Sequence, residues 1–109
     1  MNKRQAQKII SATIKALRLS WDVVLTISVD PPDKFGDASI GTRGMCIPNG
    51  ATRTADIWLQ PSAEPEIAVH EVLHIFYVEN GHDKPDGESN WQTEAAINML
   101  APLILKAIQ

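Results

Sequence analysis

The sequence predicts an α+β fold: an N-terminal helix, a small three-stranded and mostly antiparallel sheet, and two further helices packed on one side of it. Apolar residues recur at helical spacing over the first twenty positions, again after Pro65 and again after Asn90. Between the first two of these stretches lie three short β-rich runs, punctuated by Asp30-Pro31-Pro32-Asp33 and by Pro48-Asn49-Gly50. With 109 residues, 44% of them hydrophobic, the chain has apolar surface for one core, so residues 1–109 read as a single domain.

In the first helix Ala6, Ile9, Ile10, Thr13, Ile14, Ala16 and Leu17 form one stripe. Lys3, Arg4, Lys8, Lys15 and Arg18 fall around it with no acidic residue among them. A solvated face explains them; a docking surface for an acidic or nucleic-acid partner is the sharper alternative. Residues 21–29 read as a strand that Pro31 and Pro32 stop. Residues 40–47 and 52–59 read as the limbs of a hairpin or meander around Pro48-Asn49-Gly50. Thr54, Asp56 and Trp58 alternate there with Ala55, Ile57 and Leu59, the pattern of a half-buried or edge strand. The second helix starts at Pro65, with Ser62 or Glu64 as its cap, and Asn80-Gly81 closes it. The last helix spans residues 91–108 with Ser89 or Asn90 as cap, and Pro102 is expected to kink or interrupt it.

Composition narrows the function classes. No window holds the roughly 18 apolar residues of a membrane span. The start of the chain, Met1-Asn-Lys-Arg-Gln, lacks an apolar signal core, so a cytoplasmic protein is expected. Cys46 is the single cysteine, which excludes an internal disulfide and a paired-cysteine zinc site; a buried small hydrophobe is its expected role. A net charge of −3 argues weakly against a dedicated nucleic-acid binder.

The chemistry concentrates in His70-Glu71-Val72-Leu73-His74. Histidines four apart on a helix lie one above the other, so both imidazoles address a single metal ion. Glu71 falls about 100° around from His70, beside the ligands, where it can hold a metal-bound water. The surrounding Ile67, Ala68, Val69, Val72, Leu73, Ile75, Phe76 and Val78 make this helix apolar nearly all round. Polar side chains within it are costly unless a metal or hydrogen bonds satisfy them. A catalytic zinc needs a third protein ligand. His82, Asp83, Asp86, Glu88 and Glu94 are the candidates, and Glu94, in the first turn of the next helix, is favoured over His82. Asn98, one turn later, is placed to hydrogen-bond a ligand.

The His70-Glu71-x-x-His74 motif followed by Glu94 resembles the gluzincin pattern of zinc metallopeptidases. The run Thr93-Glu94-Ala95-Ala96-Ile97-Asn98-Met99-Leu100-Ala101 is similar to the glutamate helix of the compact ImmA/IrrE-type peptidases and minigluzincins. The resemblance covers residues 57–105 and lacks the helix-turn-helix domain of some relatives. It implies one Zn2+ held by His70, His74 and Glu94, with Glu71 as general base in peptide hydrolysis. It also implies a protein or peptide substrate paired to an edge strand, here residues 56–59 (Asp56, Ile57, Trp58, Leu59). Tyr77, seven residues after His70, is the first candidate for stabilising the oxyanion, ahead of His82, Arg53 and Arg43. The alternatives are a non-catalytic, zinc-stabilised interaction module of phage or mobile-element type, and hydrolysis of a non-peptide amide. An intact Glu71 weighs against the first. An open groove rather than a closed pocket would weigh against the second.

Overall fold

The structure, a computed structural model of the chain, describes residues 1–36, 41–84 and 90–109. The order is α1 (Lys3–Ala16), β1 (Asp22–Ile27), a 3-10 turn at Asp33–Phe35, β2 (Gly44–Asn49), β3 (Thr54–Leu59), α2 (Pro65–Glu79) and α3 (Trp91–Ile108). This is the expected α+β class. The expected starts at Ile40 and Ser89, and the ligand candidates Asp86 and Glu88, lie outside the described residues.

Helix α1 begins with a capping box: Asn2 Oδ1 accepts from the Gln5 N–H at 2.8 Å and Gln5 Oε1 from the Asn2 N–H at 3.0 Å. Ala6, Ile10 and Thr13 are its buried residues, and the Thr13 hydroxyl donates to the Ile9 carbonyl at 2.8 Å. Its four basic side chains, and Arg18 just beyond it, are exposed, as on a solvated face, and Ala16 joins them.

The sheet runs β1-β3-β2, with β1 parallel and β2 antiparallel to β3. It is therefore mixed, with one parallel and one antiparallel pair, rather than a meander. Strand β3, expected at an edge, is the central strand. The physical reason is that it buries side chains on both faces: Ile57, Trp58 and Leu59 are each at most 1% exposed. Ile57 and Leu59 join the core beneath α1 and α2, while the Trp58 indole N–H donates to the Ser28 carbonyl at 3.0 Å. The hairpin turn also moves. Pro48 and Asn49 belong to β2, and residues 50–53 make the turn, with Arg53 at φ 55°. Asn49 Oδ1 accepts there from the Ala51 and Thr52 N–H groups.

Helix α2 is the hub, touching β2 and β3, α1 and α3. Gly44 lets β2 approach it. A Cβ at that position would lie 2.9 Å from Ile67 Cγ2, 2.9 Å from Leu59 Cδ2 and 3.2 Å from the Trp58 carbonyl oxygen. At its C-terminus Gly81, at φ 74°, donates to the Val78 carbonyl and His82 N–H to that of Tyr77, a Schellman end. Glu79 ties this end to the sheet, accepting from the Trp21 indole at 3.1 Å and pairing with Arg53 at 3.1 Å.

Helix α3 is capped by Asn90, which accepts from the Thr93 N–H at 2.8 Å. It continues through Pro102, so of the expected kink or interruption the interruption does not occur. A proline has no N–H, so the Asn98 carbonyl forgoes its helical bond. Packing of Ile97 and Ala101 on Val69 and Leu73 of α2 holds the segment helical.

Candidate metal centre

The α2–α3 pairing places the site. His70 and His74 project from one face of α2 with ring centroids 5.1 Å apart. Glu94, in the first turn of α3, faces both: Oε1 lies 3.0 Å from His74 Nε2 and Oε2 lies 3.3 Å from His70 Nε2. One donor atom from each residue falls within 4.8 Å of the others, so His70, His74 and Glu94 form a group that can hold a metal ion. Neighbouring donors around a tetrahedral ion at about 2.0–2.2 Å stand about 3.4 Å apart, close to the spacing seen.

Glu71 is buried at 5% exposure. It opens on the same cavity as the triad, a space of about 410 Å³ lined by Gly44, Met45, Cys46, His70, Glu71, His74 and Glu94. Burial pushes its carboxyl up to about 8, and the Glu94 charge adds to the shift. Burial lowers His74 below the usual imidazole value; Glu94 opposes this, His70 reinforces it and Asp83 opposes it. A neutral imidazole is the form that binds a metal.

The remaining candidates disperse. His82 is exposed, its ring 5.8 Å from that of Tyr77, and it lies outside the triad. Tyr77 packs in the α2–α3 seam, edge-on to Phe76 at 5.8 Å, and does not line the cavity. Arg53 is held by Glu79. Arg43 is nearer: with Gly41, Gly44, Ile67, His70, Glu71 and Asn98 it lines an adjoining space of about 360 Å³. Asn98 thus reaches the mouth of the site.

Sequence reasoning missed two contributors, Cys46 and Gly44. Cys46, half-buried and packed against the apolar core, also lines the cavity. Its thiol is pushed well above its usual value by burial, then by Glu71 and Asp56. Gly44 lines both spaces. Asp83 buries both carboxylate oxygens without a hydrogen-bond partner among the described residues. The hairpin register, which pairs Gly44 with Leu59 and Cys46 with Ile57, is the signal for those two contributors.

The edge beside the cavity is β2, which corrects the assignment of that role to residues 56–59. Gln60 N–H donates to the Arg43 carbonyl at 2.8 Å, which sets the phase of the antiparallel ladder. Met45 and Ile47 therefore bond to β3, while Gly44 and Cys46 turn their N–H and C=O groups to the open edge. Pro48, in the same phase, has no N–H to offer.

Comparison with known proteins returned no significant match to a protein-family profile, a curated protein or a solved structure. Among the described residues no helix is long and apolar enough to cross a membrane.

Proposed function

We propose that the protein is a zinc-dependent metallopeptidase that hydrolyses a peptide bond in a polypeptide laid along β2. Glu71 carries the reading: it is a buried carboxylate opening on the same cavity as His70, His74 and Glu94. A metal that merely staples two helices has no use for such a group. Two imidazoles and one carboxylate, with space beside them, are the donor set of catalytic zinc. Zinc, when bound, supplies a Lewis acid and lowers the pKa of water towards neutrality. His70, His74 and Glu94 would hold it, and Glu71 would take the proton of the attacking water and pass it to the leaving amine. The N–H and C=O groups of Gly44 and Cys46, which have no strand partner among the described residues, suit pairing with an extended backbone, which favours a peptide over a small amide. Resemblance to the ImmA/IrrE-type peptidases and minigluzincins points the same way, towards a specific intracellular protein substrate.

The test is cleavage of a mixture of unstructured peptides by the zinc-loaded protein, followed by mass spectrometry. Glu71→Gln is expected to abolish cleavage while zinc content stays unchanged. Equal activity in that variant sinks the assignment. Stoichiometric zinc with no cleavage by the wild-type protein favours the interaction module instead.

A further inference from the structure

We infer that Arg43 is a specificity-determining residue, which selects a substrate carrying a carboxylate just after the bond to be cut. The inference rests on the peptidase reading of the site. Two spaces adjoin there, of about 410 Å³ and about 360 Å³, and Gly44, His70 and Glu71 line both. Three elements agree on the direction from one space to the other. On the β2 segment Cys46 follows Gly44 and lines only the first space, while Arg43 precedes it and lines only the second. On α2, His74 and Ile67 flank His70 in the same way. Helix α3 presents Glu94 to the first space and Asn98, one turn on, to the second. A chain laid along the open edge of β2 therefore passes both spaces in turn, with Glu71 at their seam.

The two spaces differ in chemistry. Among the described residues Arg43 is the only Lys or Arg that lines either one, and Asn98 adds an amide donor to the same space. The Arg43 carbonyl accepts from the Gln60 N–H at 2.8 Å, which fixes the backbone that carries the guanidinium. Nη1 donates to Glu64 Oε1 at 3.0 Å, and both side chains are at least half exposed. Such a pair opens at little cost. A guanidinium has five N–H donors, so a second carboxylate can join Glu64 or displace it. Antiparallel pairing gives the more stable ladder. It runs the substrate from Cys46 towards Arg43 and sets the leaving-amine half against the second space. The carboxylate there belongs to an Asp or Glu side chain or to the chain terminus.

Malonyl hydroxamates of Asp-Ala-amide and Asn-Ala-amide anchor at bound zinc, extend only to that side and read the subsite without turnover. Calorimetry on the zinc-loaded wild type is expected to give the Asp form about tenfold tighter binding. The malonyl hydroxamates of Ala-Ala and Ala-Ala-amide ask the same of a terminal carboxylate. A preference within the first pair assigns a side chain, and one within the second pair alone assigns a terminus. Arg43→Gln should erase the preference and Glu64→Gln should keep it, which separates contact with the carboxylate from a mere tie between β2 and α2. In cleavage of a peptide mixture, Arg43→Glu should move enrichment after the cut bond from acidic to basic residues. Equal binding within both pairs overturns the proposal, as does a preference that survives Arg43→Gln or acidic enrichment before the cut bond. Discrimination between the hydroxamates by a protein that cleaves no peptide sinks the peptidase reading and leaves the carboxylate subsite standing.

Discussion

Glu94 Oε1 stands 3.0 Å from His74 Nε2, although twenty residues of chain separate the two side chains. The contact exists because α2 ends sharply at Gly81, and because Ile97 and Ala101 lock α3 against Val69 and Leu73. Glu94→Ala should therefore lower zinc affinity by at least about 100-fold, since losing a direct ligand costs no less than losing its supporting partner. Competition with a chromogenic chelator measures it. Unchanged affinity in this variant, with affinity lost in His82→Ala, would reassign the third ligand.

Gly44→Ala should destabilise the fold by about 1–3 kcal/mol, because the new methyl meets Ile67, Leu59 and a backbone carbonyl that cannot swing aside. For a domain of this size that is a drop of about 4–8 °C in Tm per kcal/mol. Ile67→Ala removes the Cγ2 contact, so Gly44→Ala should cost less in that background than in the wild type. Additive effects in the double-mutant cycle would refute the close approach as the cause.

In the metal-free protein Glu71 carries a folded-state pKa of about 8 against an ordinary value of 4.5. A raised pKa means that the folded chain binds the extra proton, so the stability this proton supplies is present below pH 4.5 and lost as pH rises through about 8. Glu71→Gln should thus melt close to the wild type at the acid end and above it at the alkaline end, in chelator. Parallel Tm–pH curves for the two proteins would contradict the burial argument.

Cys46→Pro should lower kcat/KM for peptide cleavage by about five- to tenfold, the worth of one backbone hydrogen bond. The proline removes an N–H that points to the open edge and not to β3, so the fold should tolerate it. Cys46→Ala serves as the control for the lost thiol. A Pro variant as active as the Ala variant would show that substrate does not pair with β2 at this position.

The parts of the molecule governed by local rules were readable from residue order. Histidines at 70 and 74 share a helix face whatever the tertiary structure, and Asn80-Gly81 stops that helix by its own backbone preference. The Glu94 contact followed from two antiparallel helices joined by a reversing loop. Strand order was not readable in the same way. Alternation in residues 54–59 suggests one-sided burial, whereas Ile57-Trp58-Leu59 is a continuous apolar run, the mark of a strand covered on both faces. Pro48 looked like a turn residue, and it is compatible with β2 because its missing N–H falls on the unpaired side. The roles of Gly44 and Cys46 depend on that register and could not precede it.

The placement of β3 between its two predecessors dictates an order of assembly. β1 and β2 do not pair with each other, so no native strand pair exists until Leu59 has left the ribosome or, in refolding, until the third strand is recruited. The β2–β3 hairpin closes a loop of only four residues, 50–53, and β1 must then be captured from across the sequence. Pulse-labelled hydrogen exchange should accordingly find the Met45 and Ile47 amides protected before those of Val24 and Thr26; the reverse order would place the nucleus elsewhere. Until β1 docks, the edge of the apolar strand β3 stays bare, and this interval is when the chain is most open to pairing with a stranger.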